Sequence, residues 1–383
     1  MKNLLLISLD TLRADVAYSG KFPFFNQFLK TGVTFLNTIS SAPITPISHA
    51  TVFTGLQPYN HGMRHLFREK VKKSTPLMAD ILKKKGYETG AVVSCPGLNK
   101  WYGFNKGFNF YEDSIPRLAD GTDPLETVDV QKRGTALKRA NLVVEKSYDW
   151  LANHYDKSFF LFMHFFDAHW PYEAPEIFGG DNVYEQEVAY SLHYLEEFLT
   201  KVESNGWLDN TCIVIFSDHG EDLEGMYSND KGGEKLGHPE ESGHGCLLYD
   251  QTQKVILFIR DSTLPTGIQM SQQVRLVDIL PTVLQLLGIK AEKYVFDGTS
   301  LVPIINGERL ELPPAYSETF YPQEQFEATG QHGHANNKIS LRVDNRYKLI
   351  FHLNSGEIEC YDLARDNGEW NNLIKHGNNA AKK

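Results

Sequence analysis

The stretch Leu4-Leu5-Leu6-Ile7-Ser8-Leu9-Asp10 decides the fold of this chain. Its run of apolar and small residues predicts a strand covered on both faces, as in the parallel sheets of α/β proteins. Asp10 follows the strand directly, and open α/β folds bind ligands at the carboxyl edge of the sheet. Asp10 is therefore a candidate metal ligand, although an aspartate here would also suit the N-cap of a following helix.

Two later apolar runs end in the same way. Phe159 to Phe166 leads into Asp167-Ala168-His169, and Cys212 to Ser217 leads into Asp218-His219-Gly220-Glu221. Parallel strands would bring these acids to the same edge as Asp10. Adjacent Asp218 and His219 can supply two ligands to one divalent metal, and the alternative is a turn with a structural histidine. A mixed oxygen and nitrogen set favours zinc or manganese over calcium or magnesium.

The segment Thr45-Pro46-Ile47-Ser48-His49 predicts the start of a helix, with Thr45 at the N-cap and Pro46 at the first helical position. The positive end of the helix dipole favours an anion beside the Thr45 hydroxyl. His49 lies four residues on, on the same helical face. Thr45 and His49 are therefore candidate catalytic residues. Ser48 is a rival nucleophile that points off this face.

Two further imidazoles are candidate catalytic groups. His169 closes the Asp167-Ala168-His169 motif, and His244 stands between Gly243 and Gly245. These histidines could contact substrate oxygens, protonate a leaving group, or hold a second metal together with Asp167. Each one alone is more often a structural histidine.

Four side chains are candidate contacts for an anionic substrate: Lys106, Lys231, Lys235 and His238. The last three lie in the long, polar, glycine-rich segment from Gly220 to Gly243, which predicts a mobile loop over the site. A solvated insertion without a binding role is equally compatible with this composition.

The 383 residues exceed what one compact core usually contains, so we expect two units. The predicted large domain, residues 1–305, is α/β, with a mixed, mostly parallel sheet and helices on both faces. The predicted small domain, residues 306–383, is a mainly antiparallel α+β unit with a disordered tail from Lys375. The predicted helices are Pro23 to Lys30, Thr75 to Lys85, Val130 to His154, Tyr184 to Val202 and Ser271 to Leu287.

Composition excludes several classes of protein. A net charge of -10 argues against binding duplex nucleic acid, which requires a basic face. The four cysteines are scattered without CxxC spacing, so we expect reduced, incidental thiols. No run approaches a membrane span, and the short N-terminal apolar run fits a core strand better than a signal peptide. A cytoplasmic protein acting on a small anionic ester is the expectation, with the oligomeric state left open.

Taken together, these motifs resemble the sulfatase branch of the alkaline phosphatase superfamily over most of the chain. The resemblance rests on several matching stretches: Leu9 to Asp15, Thr45 to Gly62, Gly103 to Phe108, Phe166 to Tyr172, Ser217 to Glu221, Gly243 to Gly245, Val277 to Thr282, Asp297 to Leu301, Tyr347 to Ile350 and Tyr361 to Leu363. It implies a metal-dependent ester hydrolase.

The chain departs from the sulfatase pattern at the nucleophile. Counting back from Thr54-Gly55, Thr45 occupies the position of the cysteine that sulfatases convert to formylglycine. His49 replaces the arginine of that signature, Ile47 its proline, and Thr11 the second carboxylate of the opening pair. Thr45 with His49 is similar instead to the phosphodiesterase and phosphotransferase branches, which use an unmodified threonine.

The resemblance implies a metal held by Asp10, Asp218, His219 and the Thr45 oxygen. A hydrated formylglycine can expel sulfate by collapsing to an aldehyde, whereas a threonine ester must be cleared by attack at the central atom. That attack is feasible at phosphorus, so we expect cleavage of a phosphodiester or phosphonate ester through a phospho-threonine. The alternatives are a sulfatase, a phosphotransferase to an acceptor alcohol, and a silent metal- or anion-binding homologue.

Overall fold

A large mixed sheet forms the centre of the computed structural model, which describes residues 1–118, 120–123, 138–174, 176–231, 243–329 and 336–374. Its eight strands have the order β4-β3-β5-β1-β6-β7-β2-β8. Their bounds are β1 Asn3–Leu9, β2 Val33–Ile39, β3 Glu88–Val92, β4 Phe110–Glu112, β5 Phe159–Phe165, β6 Thr211–Phe216, β7 Lys254–Arg260 and β8 Ile268–Arg275. Strand β1 is central and pairs in parallel with β5 and β6, whereas β7 runs antiparallel to both of its neighbours. The predicted mixed, mostly parallel sheet is confirmed.

Helices cover both faces of this sheet. The described α-helices are Ala14–Ala17, Pro23–Phe28, Thr45–Thr54, Pro58–His61, Met78–Lys83, Ala140–Ala152, Val183–Ser204, Asp250–Gln253, Ile279–Leu286, Val302–Ile305 and Tyr321–Thr329. Short 3₁₀ turns cover Leu29–Thr31, Pro96–Leu98, Lys100–Tyr102, Glu176–Phe178 and Leu276–Asp278. In the part of the chain that the structure describes, no helix has both the length and the apolar character that a bilayer crossing demands.

Strand β1 separates two apolar cores. Leu4 and Leu6 pack into the core on the side of the helix Thr45–Thr54, and Leu5 and Ile7 pack into the core on the other side. This division follows from the two-residue period of a strand, which sends successive side chains to opposite faces. Because both faces are apolar, the strand is buried along its length and its end is fixed in position.

One predicted helix is wrong. Ser271 to Leu287 contains the last part of the edge strand β8, then a 3₁₀ turn, and only then a helix over Ile279–Leu286. Among the described residues the strand pairs only with β2, and its first residues, Ile268 to Ser271, are largely exposed although two of them are apolar. A half-exposed edge strand lacks the continuous apolar run of the central strands. Its sequence pattern therefore predicts the start of a helix. The part of the predicted helix Val130 to His154 at 130–137 lies outside the described residues.

The small sheet is antiparallel, as predicted, with the order β12-β11-β10-β9. Its strands are β9 Ala315–Thr319, β10 Lys338–Val343, β11 Tyr347–His352 and β12 Ile358–Asp362. It contacts the segment that follows His244, because the Thr319 hydroxyl donates to the Gly245 carbonyl and Lys338 Nζ donates to the Cys246 carbonyl at 2.9 Å. The domain boundary near residue 305 stays a prediction, and the tail from Lys375 lies outside the described residues.

The contact between Gly90 in β3 and Trp150 in the helix Ala140–Ala152 gives a test of this packing. A Cβ atom at Gly90 would lie 2.7 Å from Cδ2 and Cζ2 of the indole. Gly90→Ala should therefore lower the free energy of unfolding by about 1–3 kcal/mol, the usual cost of overpacking a core. Denaturant-induced unfolding followed by circular dichroism measures this loss.

The matched control is the double variant Gly90→Ala/Trp150→Leu. A smaller side chain at position 150 makes room for the new methyl group, so the two changes together should cost less than the sum of their separate costs. Strictly additive costs would contradict the assigned contact.

Candidate metal and nucleophile site

Two acidic side chains meet at the carboxyl ends of adjacent strands. Ser8 of β1 pairs with Phe216 of β6. Asp10 and Asp218 each come two residues after this pair, at the same level of the sheet. Asp10 is 1% exposed and Asp218 is 0% exposed. The backbone N–H of Asp10 donates to the Phe165 carbonyl at 2.9 Å, which ties the turn to β5 as well. The structure thus brings the predicted carboxylate ligands together.

Thr11 holds this turn in an unusual conformation. Its φ of 55° lies in the left-handed region, which a β-branched residue rarely adopts. In that conformation its backbone N–H points at Asp218 Oδ1, at 3.3 Å. The strained residue therefore fixes the two strand ends relative to each other.

The Thr45 hydroxyl lies between the acidic and imidazole groups. Its Oγ1 is 3.2 Å from Asp10 Oδ2 and 3.2 Å from His219 Nε2. The helix begins at Thr45 itself, with Ile44 at the N-cap, so the predicted N-cap position is wrong by one residue. Thr45 therefore occupies the first helical position, and its Oγ1 faces Asp10 and His219. Asp10, Thr45, Asp218 and His219 therefore form one cluster, and their role as metal ligands stays a prediction.

The buried oxygens of this cluster fit a divalent cation. Asp10 Oδ1 and Asp218 Oδ2 have no hydrogen-bond partner among the described residues. Burial raises the pKa of Asp10, and burial together with the neighbouring Asp10 raises the pKa of Asp218. A cation would supply the missing partner for both oxygens. Carboxylate oxygens of Asp10 and Asp218 with an imidazole nitrogen of His219 lie within 4.8 Å of one another.

Three imidazoles in the site share one arrangement. His219 Nδ1 lies 2.9 Å from the Gly220 carbonyl, His244 Nδ1 lies 2.9 Å from Glu221 Oε1, and His169 Nδ1 lies 2.5 Å from the Trp170 carbonyl. An Nδ1 that donates to oxygen leaves Nε2 as the free lone pair of a neutral ring. The rings of His219 and His244 lie 4.2 Å apart, and those of His169 and His244 lie 5.1 Å apart. The three rings therefore form one cluster beside Thr45.

His49 takes a different role from the predicted one. It is fully buried, with Nδ1 at 2.7 Å from the Thr45 carbonyl and Nε2 at 2.9 Å from Ser8 Oγ. Burial lowers the pKa of His49 to about 3, so the ring is neutral. Since both nitrogens are engaged by the protein, His49 ties the first turn of the helix to β1. We therefore correct its assignment from a catalytic residue to a positioning residue.

Asp167 is paired with a cation of the protein. Its Oδ1 lies 3.2 Å from Arg139 Nε and accepts the Ala140 backbone N–H at 3.1 Å. Burial raises the pKa of Asp167 to about 7. Arg139 is shared with Glu187, and Asp167 Oδ2 has no hydrogen-bond partner among the described residues. The alternative of a second metal held by Asp167 with His169 and His244 therefore stays a prediction.

The predicted substrate-binding lysines lie in structural contacts. Lys106 Nζ is 3.0 Å from Asp80 Oδ2 and donates to the Lys73 carbonyl at 3.1 Å. Lys231 is 1% exposed, and its ammonium donates to backbone carbonyls of the C-terminal segment and lies 4.0 Å from the centre of the Trp370 ring. These contacts occupy both ammonium groups, so we correct both assignments. Lys235 and His238 lie outside the described residues.

Sequence reasoning missed three residues beside Asp10. His164 Nε2 lies 3.1 Å from Asp10 Oδ2, and its Nδ1 lies 2.8 Å from Ser94 Oγ. Cys95 lies in the same cluster as Asp10 and His164. The available signal was an imidazole inside an otherwise apolar strand, which is an expensive place for a polar ring without a partner.

Comparison with known proteins gives two family matches. The family described as Sulfatase matches residues 2–289. The family described as N-sulphoglucosamine sulphohydrolase, C-terminal, matches residues 245–382. Together the two matches include every described residue of the site and of the small sheet.

Individual relatives are distant. Arylsulfatase D of Homo sapiens is 28% identical over 203 residues, which make up 52% of this chain and 33% of that protein. The chain thus spans only a third of the length of that relative. Arylsulfatase K of Xenopus laevis is 22% identical over 419 residues, covering 92% of this chain and 74% of that protein.

Solved structures show the same fold. The crystal structure of phosphonate monoester hydrolase of Agrobacterium radiobacter matches with a TM-score of 0.77 at 19% identity. The match covers 100% of this chain and 93% of that chain. At this identity, the likeness supports the fold of the two sheets.

The carboxylate pair predicts the effect of removing one ligand. Asp218→Asn replaces an anionic ligand with a neutral amide, so affinity for a divalent cation should fall by at least about 100-fold, since loss of even an outer-shell partner typically costs 10–100-fold. Titration of the metal-free protein with zinc or manganese, followed by calorimetry, measures the change.

Asp261→Asn is the matched control. Asp261 is also buried, but it follows β7 at the opposite edge of the sheet, where it pairs with Lys2. Its substitution should leave cation affinity unchanged. Equal losses in the two variants would contradict the assignment of Asp218 as a ligand.

Proposed function

The chain belongs to the sulfatase family, within the alkaline phosphatase superfamily of ester hydrolases, and from this membership we propose that it hydrolyses a phosphoester with Thr45 as the nucleophile. One observation carries the proposal. Thr45 Oγ1 lies 3.2 Å from both Asp10 Oδ2 and His219 Nε2, in the cluster that fits a divalent cation. We favour a phosphodiester or a phosphonate ester as the substrate.

The identity of the nucleophile favours phosphorus over sulfur. Threonine has no thiol from which formylglycine could be made, so a covalent intermediate on Thr45 must be cleared by water at the central atom. Preorganised donors and a cation stabilise the charge that develops at phosphorus during such a step. A sulfate ester on threonine would lack the aldehyde route that a hydrated formylglycine provides.

A bound divalent cation would supply Lewis acidity at the phosphoryl oxygens and lower the pKa of the nucleophilic hydroxyl. Asp10, Asp218, His219 and Thr45 are the residues proposed to hold it. Their donor set of oxygens and one nitrogen suits zinc or manganese. Burial of these ligands keeps water away from the charges and strengthens every electrostatic contact among them.

The chain's own residues then divide the reaction into two steps. The Thr45 oxygen bonds to phosphorus as the bond from phosphorus to the leaving oxygen breaks, and water later cleaves the phospho-threonine. His49 keeps Thr45 in place by holding the carbonyl of the same residue. His169 and His244 are engaged through Nδ1 at 2.5 and 2.9 Å. Their Nε2 lone pairs are proposed to accept a proton from the attacking water, and the protonated rings then donate from Nε2 to substrate oxygens.

The comparisons supply support for two substrate classes. A phosphonate monoester hydrolase has the same fold, which supports hydrolysis at phosphorus. The arylsulfatases among the relatives support the second candidate, hydrolysis of a sulfate ester. Transfer of the phosphoryl group to an acceptor alcohol uses the same first step, with an alcohol in place of water. The full set of buried ligands argues against a silent homologue, because unpaired buried carboxylates are costly to retain.

A matched panel of aryl esters tests the substrate class. Nitrophenyl phosphonate, phosphodiester, phosphate monoester and sulfate share one leaving group, so differences in kcat/KM report the central atom and its charge. We expect the phosphonate ester or the diester to be cleaved fastest in zinc- or manganese-loaded protein, with metal content measured in the same preparation. Fastest cleavage of the aryl sulfate would overturn the proposal.

Substitution of the nucleophile tests the mechanism. Thr45→Ala should lower kcat by at least about 10⁴-fold, the scale on which removal of a nucleophile acts. Quenching the wild-type reaction with acid and mapping the phosphorylated residue by mass spectrometry should locate the phosphoryl group on Thr45.

Ser48→Ala is the control for the rival hydroxyl. Ser48 donates to the Asp218 carbonyl at 2.8 Å, so its side chain is engaged by the backbone. The variant should retain the phospho-Thr45 intermediate. A label on Ser48 in the wild-type protein, or near-normal turnover in Thr45→Ala, would eliminate Thr45 as the nucleophile.

A further inference from the structure

We propose that Asp10, Cys95 and His164 form a second cation site, specific for a thiolate-binding metal such as zinc, beside the site of Asp10, Asp218 and His219. The inference concerns metal number and identity, and it does not depend on which ester the protein cleaves. Asp10 would be shared between the two cations.

The geometry of the three residues is that of a metal site. A carboxylate oxygen of Asp10, Sγ of Cys95 and a ring nitrogen of His164 lie within 4.8 Å of one another. Zinc bonds to oxygen, nitrogen and sulfur are about 2.0–2.3 Å, so this spread is close to that of ligands around one ion. Asp10, Cys95 and His164 are 1%, 2% and 0% exposed.

The hydrogen bonds of His164 direct a lone pair at Asp10. The Ser94 hydroxyl donates to the His164 carbonyl at 2.6 Å, so the Ser94 oxygen accepts from His164 Nδ1 at 2.8 Å. A neutral ring with its proton on Nδ1 has only a lone pair on Nε2. That nitrogen lies 3.1 Å from Asp10 Oδ2, so two acceptors face each other when Asp10 is ionised. A cation bound to both atoms removes this mismatch.

Burial raises the pKa of the Cys95 thiol, and the nearby Asp10 and Asp218 carboxylates raise it further, so a thiolate forms here only with a cation beside it. Binding of a divalent cation would displace the thiol proton to solvent, as metal binding by cysteine generally does. Gly97 lies against Thr45, because a Cβ atom added at Gly97 would be 3.8 Å from Thr45 Cβ. The Cys95 turn therefore borders the nucleophile.

Sharing of Asp10 would place the two cations close together. Two-metal sites in hydrolases typically have their ions about 3.5–4 Å apart, and a bridging carboxylate is one way to hold them there. The sulfur ligand would also make the proposed site selective, because a thiolate binds zinc in preference to manganese, calcium or magnesium. The competing interpretation is a buried packing thiol beside a simple hydrogen bond between His164 and Asp10.

Cobalt titration of the metal-free full-length protein separates these interpretations. Cobalt(II) replaces zinc in such sites, and a thiolate ligand gives a sulfur-to-cobalt charge-transfer band in the near ultraviolet. We expect two equivalents of tightly bound cobalt per chain and this band in the wild-type protein. A single equivalent, or no charge-transfer band at saturation, would overturn the proposal.

Variants then assign the band to one position. Cys95→Ala should lose the band and one equivalent of cobalt while the visible ligand-field bands of the other site persist, which also shows that the variant is folded. Asp218→Asn should weaken the other site and keep the band. The charge-transfer band reports on the Cys95 site, and the ligand-field bands report on the other site. A result against the second cation site is therefore distinguishable from a result against the Thr45 mechanism.

Cys212→Ala is the matched control, because Cys212 is equally buried but belongs to β6 away from the acidic cluster. It should keep both equivalents and the band. His164→Gln should bind the second equivalent at least 10-fold more weakly. Persistence of the band in Cys95→Ala, or its loss in Cys212→Ala, would contradict the assignment of the sulfur ligand.

Discussion

The repulsion between two buried carboxylates is the constraint on which the site depends. Asp10 and Asp218 end adjacent strands, and the groups that the structure places against them are imidazoles, a hydroxyl and backbone N–H groups. Such a pair is unfavourable unless protons or cations neutralise it. Fold stability, the proposed metal binding and the proposed activation of Thr45 would therefore be coupled through the same small volume.

Much of this arrangement follows from the sequence by a simple physical rule. An apolar strand that ends in a carboxylate places that carboxylate at the sheet edge, and parallel neighbours place theirs beside it. Asp10, Asp218 and His219 were predictable for that reason, as was the proximity of Thr45 at a helix start. The parallel pairing of β1 with both β5 and β6 sets the register in which these ends meet.

The remainder depends on contacts between residues far apart in sequence. A lysine in a polar loop predicts an anion contact, yet Lys231 is buried against backbone carbonyls near Trp370, which no local pattern reveals. His49 has the spacing of a catalytic partner for Thr45, but Ser8 on β1 engages its second nitrogen. Edge strand β8 escaped prediction because half of its surface is polar. In each case tertiary packing overrides the local signal.

The small sheet also has a consequence for how the enzyme can change. Because β9 and β10 donate hydrogen bonds to the carbonyls of Gly245 and Cys246, they set the backbone position beside His244. Substitutions in these two strands can therefore shift the His244 imidazole without altering any of the proposed site residues. Divergence of the C-terminal strands offers this scaffold an indirect path to new specificity, with the acidic centre left intact.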